Sequence, residues 1–158
     1  MIRAYQDNDL NELLEVWYSA SQVGHPFLDE NFFEKERRAI ATVYLPNAET
    51  WVFEQDDHVV GFISLHDDEV GGLFVDADYH GQGIGRALMD HAARTRDCLK
   101  LEVFEKNHVG RRFYAKYGFV QVGQYFHEET GCVMLRLELD CEPPLQAQSG
   151  VKQPYADG

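Results

Sequence analysis

Gly81, Gly83 and Gly85 alternate through the segment Gly72-Leu73-Phe74-Val75-Asp76-Ala77-Asp78-Tyr79-His80-Gly81-Gln82-Gly83-Ile84-Gly85-Arg86-Ala87-Leu88-Met89, between a short apolar strand and the apolar period of a helix. No other stretch restricts the possible fold so much. Glycines at every second position leave the backbone bare where a helix begins, so successive N–H groups and the positive end of the helix dipole can face an anion. A phosphate cradle follows from that arrangement, and its spacing excludes two nucleotide motifs. A dinucleotide fingerprint, Gly-x-Gly-x-x-Gly, fails because its last position is Arg86 when counted from Gly81 and Leu88 when counted from Gly83. A nucleoside-triphosphate loop fails because Gly85 is followed by Arg86-Ala87 rather than Lys-Ser/Thr.

The periodicity on either side places the cradle in a mixed sheet. Residues 2 to 5 read as an edge strand. Asp7 is expected to cap a helix with Leu10, Leu13, Leu14 and Trp17 on one stripe, and Asp29 a second with Phe32, Phe33, Ile40 and Tyr44 at helical spacing. Residues 19 to 28, with Gly24 and Pro26, read as a loop. Strands follow over 51–54, 59–65 and 69–75, the last ending at the cradle. A helix carrying Ile84, Leu88 and Ala92 comes next, then a strand over 99–104. Asn107 to Tyr117 reads as a helix closed by Gly118, and strands over 119–126 and 132–139 complete the chain. The order βααβββαβαββ implies an α/β (α+β) fold: a mixed, mostly antiparallel sheet of six to seven strands with helices on both faces. Residues 1–139 form one domain on this reading. Residues 140–158 lack an apolar period and are expected to be a flexible tail.

Composition limits the partners. At 158 residues and 44% apolar, the chain fills one core unaided. Cys98, Cys132 and Cys141 are odd in number and lack C-x-x-C spacing, which suggests neither a disulfide framework nor a zinc site and favours a reducing cytoplasm. The start of the chain has no signal-peptide pattern and no run is long enough to span a membrane. A net charge of −13 argues against nucleic acid as a partner and favours a cationic one. The seven histidines show no metal-binding spacing, so no metal is implied.

His80-Gly81-Gln82-Gly83-Ile84-Gly85 resembles the Gln/Arg-x-x-Gly-x-Gly/Ala acetyl-CoA signature of the GNAT superfamily of N-acetyltransferases, with His80 departing from the usual Arg or Gln. Downstream, Asn107-His108-Val109-Gly110-Arg111-Arg112-Phe113-Tyr114-Ala115-Lys116-Tyr117-Gly118-Phe119 is similar to that family's Asn-x-x-x-x-x-Phe-Tyr-x-x-x-Gly-Phe element. The segment from Trp17 to Trp51 is similar to the small bacterial YiaC/YjaB-like subgroup.

The resemblance implies acetyl-CoA as co-substrate and direct transfer of its acetyl group to a primary amine: a protein lysine, a peptide N-terminus or a small-molecule amine. The alternative is a non-catalytic module that binds or senses acyl-CoA. Backbone N–H groups of Gln82, Gly83, Ile84, Gly85 and Arg86 would hold the pyrophosphate. The preceding strand would splay from its neighbour and expose backbone at Phe74 and Val75 to the pantetheine arm or the thioester oxygen, where a hydrogen-bond donor is worth about 2.7–4 kcal/mol. Both residues are also ordinary strand core.

Tyr114 would stand beside the departing sulfur. A phenol of pKa about 10 facing a thiolate of about 8.5 must work uphill by roughly 2 kcal/mol to hand over its proton, so hydrogen-bonding the thiolate is the easier role. Asn107 is either a cofactor contact or a helix N-cap. The acceptor ammonium must lose a proton before attack, and several members of the family carry a catalytic Glu at the place of Glu69. Even spacing puts Glu69 on the same strand face as Val75. Asp67-Asp68-Glu69 equally reads as a solvated hairpin end, and His25, His66, Tyr117 or a water chain are alternative bases. An edge strand near the C-terminus leaves monomer and homodimer open.

Overall fold

The computed structural model describes residues 1–140. The expected tail lies outside them except for Asp140. Seven strands, β1 (Ile2–Ala4), β2 (Glu49–Gln55), β3 (His58–His66), β4 (Glu69–Val75), β5 (Leu99–Phe104), β6 (Val120–His127) and β7 (Cys132–Leu139), form one sheet in the order β1-β2-β3-β4-β5-β7-β6. Neighbours pair antiparallel except β4 with β5. Helices α1 (Leu10–Gly24), α2 (Glu30–Ala39), α3 (Ile84–Ala93) and α4 (His108–Tyr117) complete the expected order.

Apolar residues of β2 and β3 divide between the two faces. Val52 and Phe62 pack with Leu13, Trp17 and Phe33 of α1 and α2, whereas Ile63 and Leu65 pack with Ile84, Leu88 and Met89 of α3 and with Leu101 and Leu135. Alternation along β3 produces this division, since adjacent side chains point to opposite faces. The β2–β3 turn holds Asp56 and Asp57 at φ 54° and 65°, a left-handed pair that matches the twist of a two-residue hairpin.

β4 shapes the site. It stays paired with β3 as far as Val75, but pairs with β5 only through Glu69–Lys100 and Val70–Leu101. Beyond Val70 the two strands part, and one edge of β4 opens into a wedge. A bulge accompanies the opening: Leu65 faces Val70 and Ser64 faces Gly72, leaving Gly71 as the extra residue. The extra residue reverses the alternation. Glu69 therefore shares the face of Phe74, towards α1 and α2, and not that of Val75, which corrects the even-spacing expectation.

Other local expectations also change. Asp7 caps nothing; a short 3-10 turn, Asp7–Asp9, leads into α1, and the Asp9 carboxylate takes the Gln6 N–H at 2.8 Å. The Arg3 guanidinium holds the same carboxylate through two bonds of 2.9 Å. Residues 19 to 24 belong to α1 rather than to a loop, because nothing from Ser19 to Val23 breaks a helix and Gly24 is its last residue. Asp29 does cap α2, accepting from Phe32 N–H at 2.9 Å. Ile40–Tyr44, read as more α-helix, is a turn of π-helix ahead of Pro46. Cys132 is a buried free thiol, while Cys98 is disulfide-bonded, a bond the cysteine count and spacing do not announce.

Candidate active site

Two cavities meet in the wedge. The first, about 450 Å³, runs between the cradle and α4, lined by Leu73, Phe74 and Val75 of β4, residues 79–81 and 83–86, and Asn107, Phe113 and Tyr114. The second, about 350 Å³, lies on the α1–α2 side, lined by Ser21, Glu36, Glu69, Glu102 and His127 among others. His25, Leu73, Phe74, Asn107 and Tyr114 border both. A third cavity, about 630 Å³, lies beside the π-turn and also reaches Phe74. Gly72 makes room for that ring, because a Cβ there would stand 2.8 Å from it.

The cradle has the geometry an anion requires. Gly81 and Gly83 sit at φ 82° and 81°, and a Cβ at either would meet nothing within 4 Å. Their requirement is conformational, and the space before them is open. Gly83 is the N-cap of α3 with no side chain supplying a bond, so the first N–H groups of the helix lack a capping side chain. Gly85 differs: its Cβ would come within 3.3 Å of Phe113, so this glycine lets α3 approach α4. Arg86 lies 5.2 Å over the Tyr117 ring and, with Lys116, adds positive charge to the cavity. Uncapped amides, open space and two cations suit the diphosphate and phosphate groups of a coenzyme A thioester.

His80 turns back rather than outward. Its Nε2 donates to the Val75 carbonyl at 2.8 Å, tying the start of the cradle to the end of β4. Asn107 is a helix cap: its Oδ1 accepts from Gly110 N–H at 2.9 Å. That bond fixes the amide orientation and leaves Nδ2 to donate to His25 Nε2 at 3.2 Å. His25 is consequently neutral with its proton on Nδ1, and burial pushes its pKa down to about 4. A base that weak does not deprotonate an alkylamine.

Tyr114 lies against Phe113 and Phe119, with ring centroids at 5.5 and 5.6 Å. Burial pushes its pKa up to about 12. The Tyr117 hydroxyl is already given to Asp90 at 2.5 Å, and the His66 ring sits 3.2 Å from the Asn47 carbonyl. Glu69 lines the second cavity; burial, then Glu102 and Asp68, raise its pKa. Ser21, Glu36 and Leu73, none of them singled out in the sequence, also line it. Glu36 alone left a signal, as a charge on the stripe of Phe32, Phe33 and Ile40. No cluster suited to a metal occurs among the described residues.

The family model described as an acetyltransferase (GNAT) domain matches residues 46–121. Peptidyl-lysine N-acetyltransferase YiaC of Escherichia coli is 34% identical over 131 residues, covering 82% of this chain and 90% of that protein. The solution structure of apo-form YjaB from Escherichia coli superposes with a TM-score of 0.79 at 29% identity, covering 87% of this chain and 95% of that one. The PaiA N-acetyltransferase of Thermoplasma acidophilum, crystallised with coenzyme A, gives 0.69 at 21% identity over 88% and 97%.

Proposed function

The chain belongs to the GNAT family of acetyl-CoA-dependent N-acetyltransferases, and on that premise we propose that its acceptor is a lysine side chain of a protein or peptide, modified by direct transfer at the junction of the two cavities. The lysine assignment draws on the peptidyl-lysine specificity by which YiaC is named and on the carboxylates facing the second cavity. The observation that carries the mechanism is the shared border of the cavities, where His25, Leu73, Phe74, Asn107 and Tyr114 face both.

When bound, acetyl-CoA supplies a thioester carbon open to attack by an amine. Backbone N–H groups of Gln82, Gly83, Ile84, Gly85 and Arg86 hold its diphosphate in this reading, and the β4 edge freed beyond Val70 offers N–H donors near Leu73, Phe74 and Val75 to the pantetheine arm and the thioester oxygen. Glu69 takes the acceptor's proton, directly or through water. Tyr114 serves the departing sulfur as a hydrogen-bond donor. With the phenol at about 12 and a reference thiol at about 8.5, full proton transfer would run uphill by roughly 5 kcal/mol. His80 acts as a tether and Asn107 as a cap that positions α4, which leaves their direct cofactor contacts secondary.

Residues 1–139 act as one catalytic domain, working in the cytoplasm without nucleic acid, as a monomer or as a homodimer joined at the β6 edge. Among the described residues no helix is long and apolar enough to cross a membrane. Thiol release from acetyl-CoA with lysine peptides tests the proposal. Tyr114→Phe should lower kcat by about 10²-fold, the size expected for losing one hydrogen-bond donor to developing charge, with coenzyme A affinity unchanged. A Phe variant of undiminished kcat would remove Tyr114 from the chemistry.

A further inference from the structure

Glu36 sits on the inward stripe of α2, at helical spacing from Phe32, Phe33 and Ile40. Among the described residues no hydrogen bond or ion pair engages its half-buried carboxylate, which lines the second cavity. Cations nearby are committed elsewhere. Lys35 bridges to Glu129 at 2.9 Å. Arg37 lies 5.9 Å from the Trp17 ring and 5.7 Å from that of Tyr18. His127 Nδ1 is 2.8 Å from Thr130 Oγ1. The remaining ionisable groups of the cavity wall, Glu69, Glu102, Tyr44, Tyr114 and the neutral His25, bring no positive charge. Burial first, then Glu129, raise the pKa of Glu36, against smaller opposing effects from Lys35 and His127. An unpaired carboxylate among apolar neighbours is costly unless a cation arrives.

A second, independent observation points to the same place. Ser21 is 1% exposed, lines the same cavity, and its Oγ is the one buried side-chain polar atom among the described residues without a hydrogen-bond partner. Ser21 stands one turn before His25, which closes α1 and borders both cavities. A buried hydroxyl left unbonded costs about 1–3 kcal/mol, and an apolar residue of similar size would avoid that cost.

We infer that Glu36 and Ser21 form the receptor for the acceptor's ammonium group, a selectivity site for alkylammonium compounds; this deepens, and rests on, the acetyltransferase reading of the adjoining cleft. The amine is captured as a cation by side chains from α2 and α1, and loses its proton inside a cavity that Glu69 also lines. The acetylated product is neutral and has no claim on the carboxylate, so the same site distinguishes substrate from product.

The test titrates the full chain, with and without coenzyme A, with Nα-acetyl-lysine methylamide and with its Nε-acetylated form, followed by amide NMR. The wild type should bind the free amine at least about tenfold more tightly than the neutral form, the size of one hydrogen bond to a charged group. Glu36→Gln should bring the two affinities together, and Glu36→Asp should restore part of the difference. Ser21→Ala should narrow it about threefold while leaving the melting temperature equal or higher, since it removes an unsatisfied hydroxyl. Equal affinities in the wild type, or an undiminished preference in Glu36→Gln, would overturn the inference. Coenzyme A binding, read in the same samples, tests the acetyltransferase reading separately.

Discussion

At the scale of single residues, chemistry here is decided by which polar atoms are already engaged. His25 and Tyr117 look like equal candidates for a base in the sequence. The first is held neutral by burial and the Asn107 amide; the second has given its hydroxyl to Asp90. Glu69 and Glu36 are the carboxylates of the second cavity left without partners among the described residues. The depressed pKa of His25 has a consequence for stability with a definite sign. An unfolded histidine takes a proton near pH 6.5, whereas this one resists until about 4, so its contribution is complete above pH 6.5 and disappears as pH falls towards 4. Its full size is roughly 3 kcal/mol. Urea midpoints at pH 7 and pH 4.5 should therefore diverge more in the wild type than in His25→Gln. Parallel shifts in both proteins would mean that another group governs the acid limb.

At the scale of elements, a helix start and a strand edge do the positioning. The strand–glycine–helix sequence was legible because its spacing is tied to local conformation: positive φ at Gly81 and Gly83 is a backbone requirement. Gly85 belongs to the same motif for another reason, its contact with Phe113, and only the packed structure separates the two. Substitution should separate them as well. Gly83→Ala must place a Cβ at φ 81°, which costs about 1 kcal/mol and tilts the amides of the cradle; both stability and coenzyme A affinity should fall. Gly85→Ala presses on Phe113 instead, and Phe113→Leu should relieve it by shortening the opposing side chain. Thermal melts and isothermal titration of the two glycine variants, each with and without Phe113→Leu, decide the matter, and rescue of Gly83→Ala by Phe113→Leu would count against this division.

At the scale of the whole molecule, element order and the two-faced sheet follow from hydrophobic period and turn residues, so both could be read in advance. The site was only partly readable. Face assignment along β4 failed because a bulge at Gly71 reverses alternation, and a bulge is settled by pairing with β3 rather than by β4 alone. The end of α1 differs from the loop expected over residues 19 to 28 because Gly24 and Pro26 break the helix only at its last residue and beyond, leaving Ser19 to Val23 helical. Ser21 and Glu36 come from different helices and are brought to one cavity by tertiary structure. Net charge acts at this scale too. With −13 over 158 residues, capture of a cationic acceptor should weaken with screening: kcat/KM for a lysine peptide should fall several-fold between low salt and about 0.5 M, where the Debye length shrinks to a few ångströms. An insensitive kcat/KM would mean that only short-range contacts select the acceptor.

Phe74 borders all three cavities, with its ring lodged over Gly72. On the assignment proposed for the cavities, one aromatic plane separates the cleft of the thioester, the cavity of the amine and a larger apolar chamber behind them. On that assignment, a smaller side chain at position 74 joins the thioester cleft to the chamber behind it, and a change in acyl preference needs no rebuilding of the sheet.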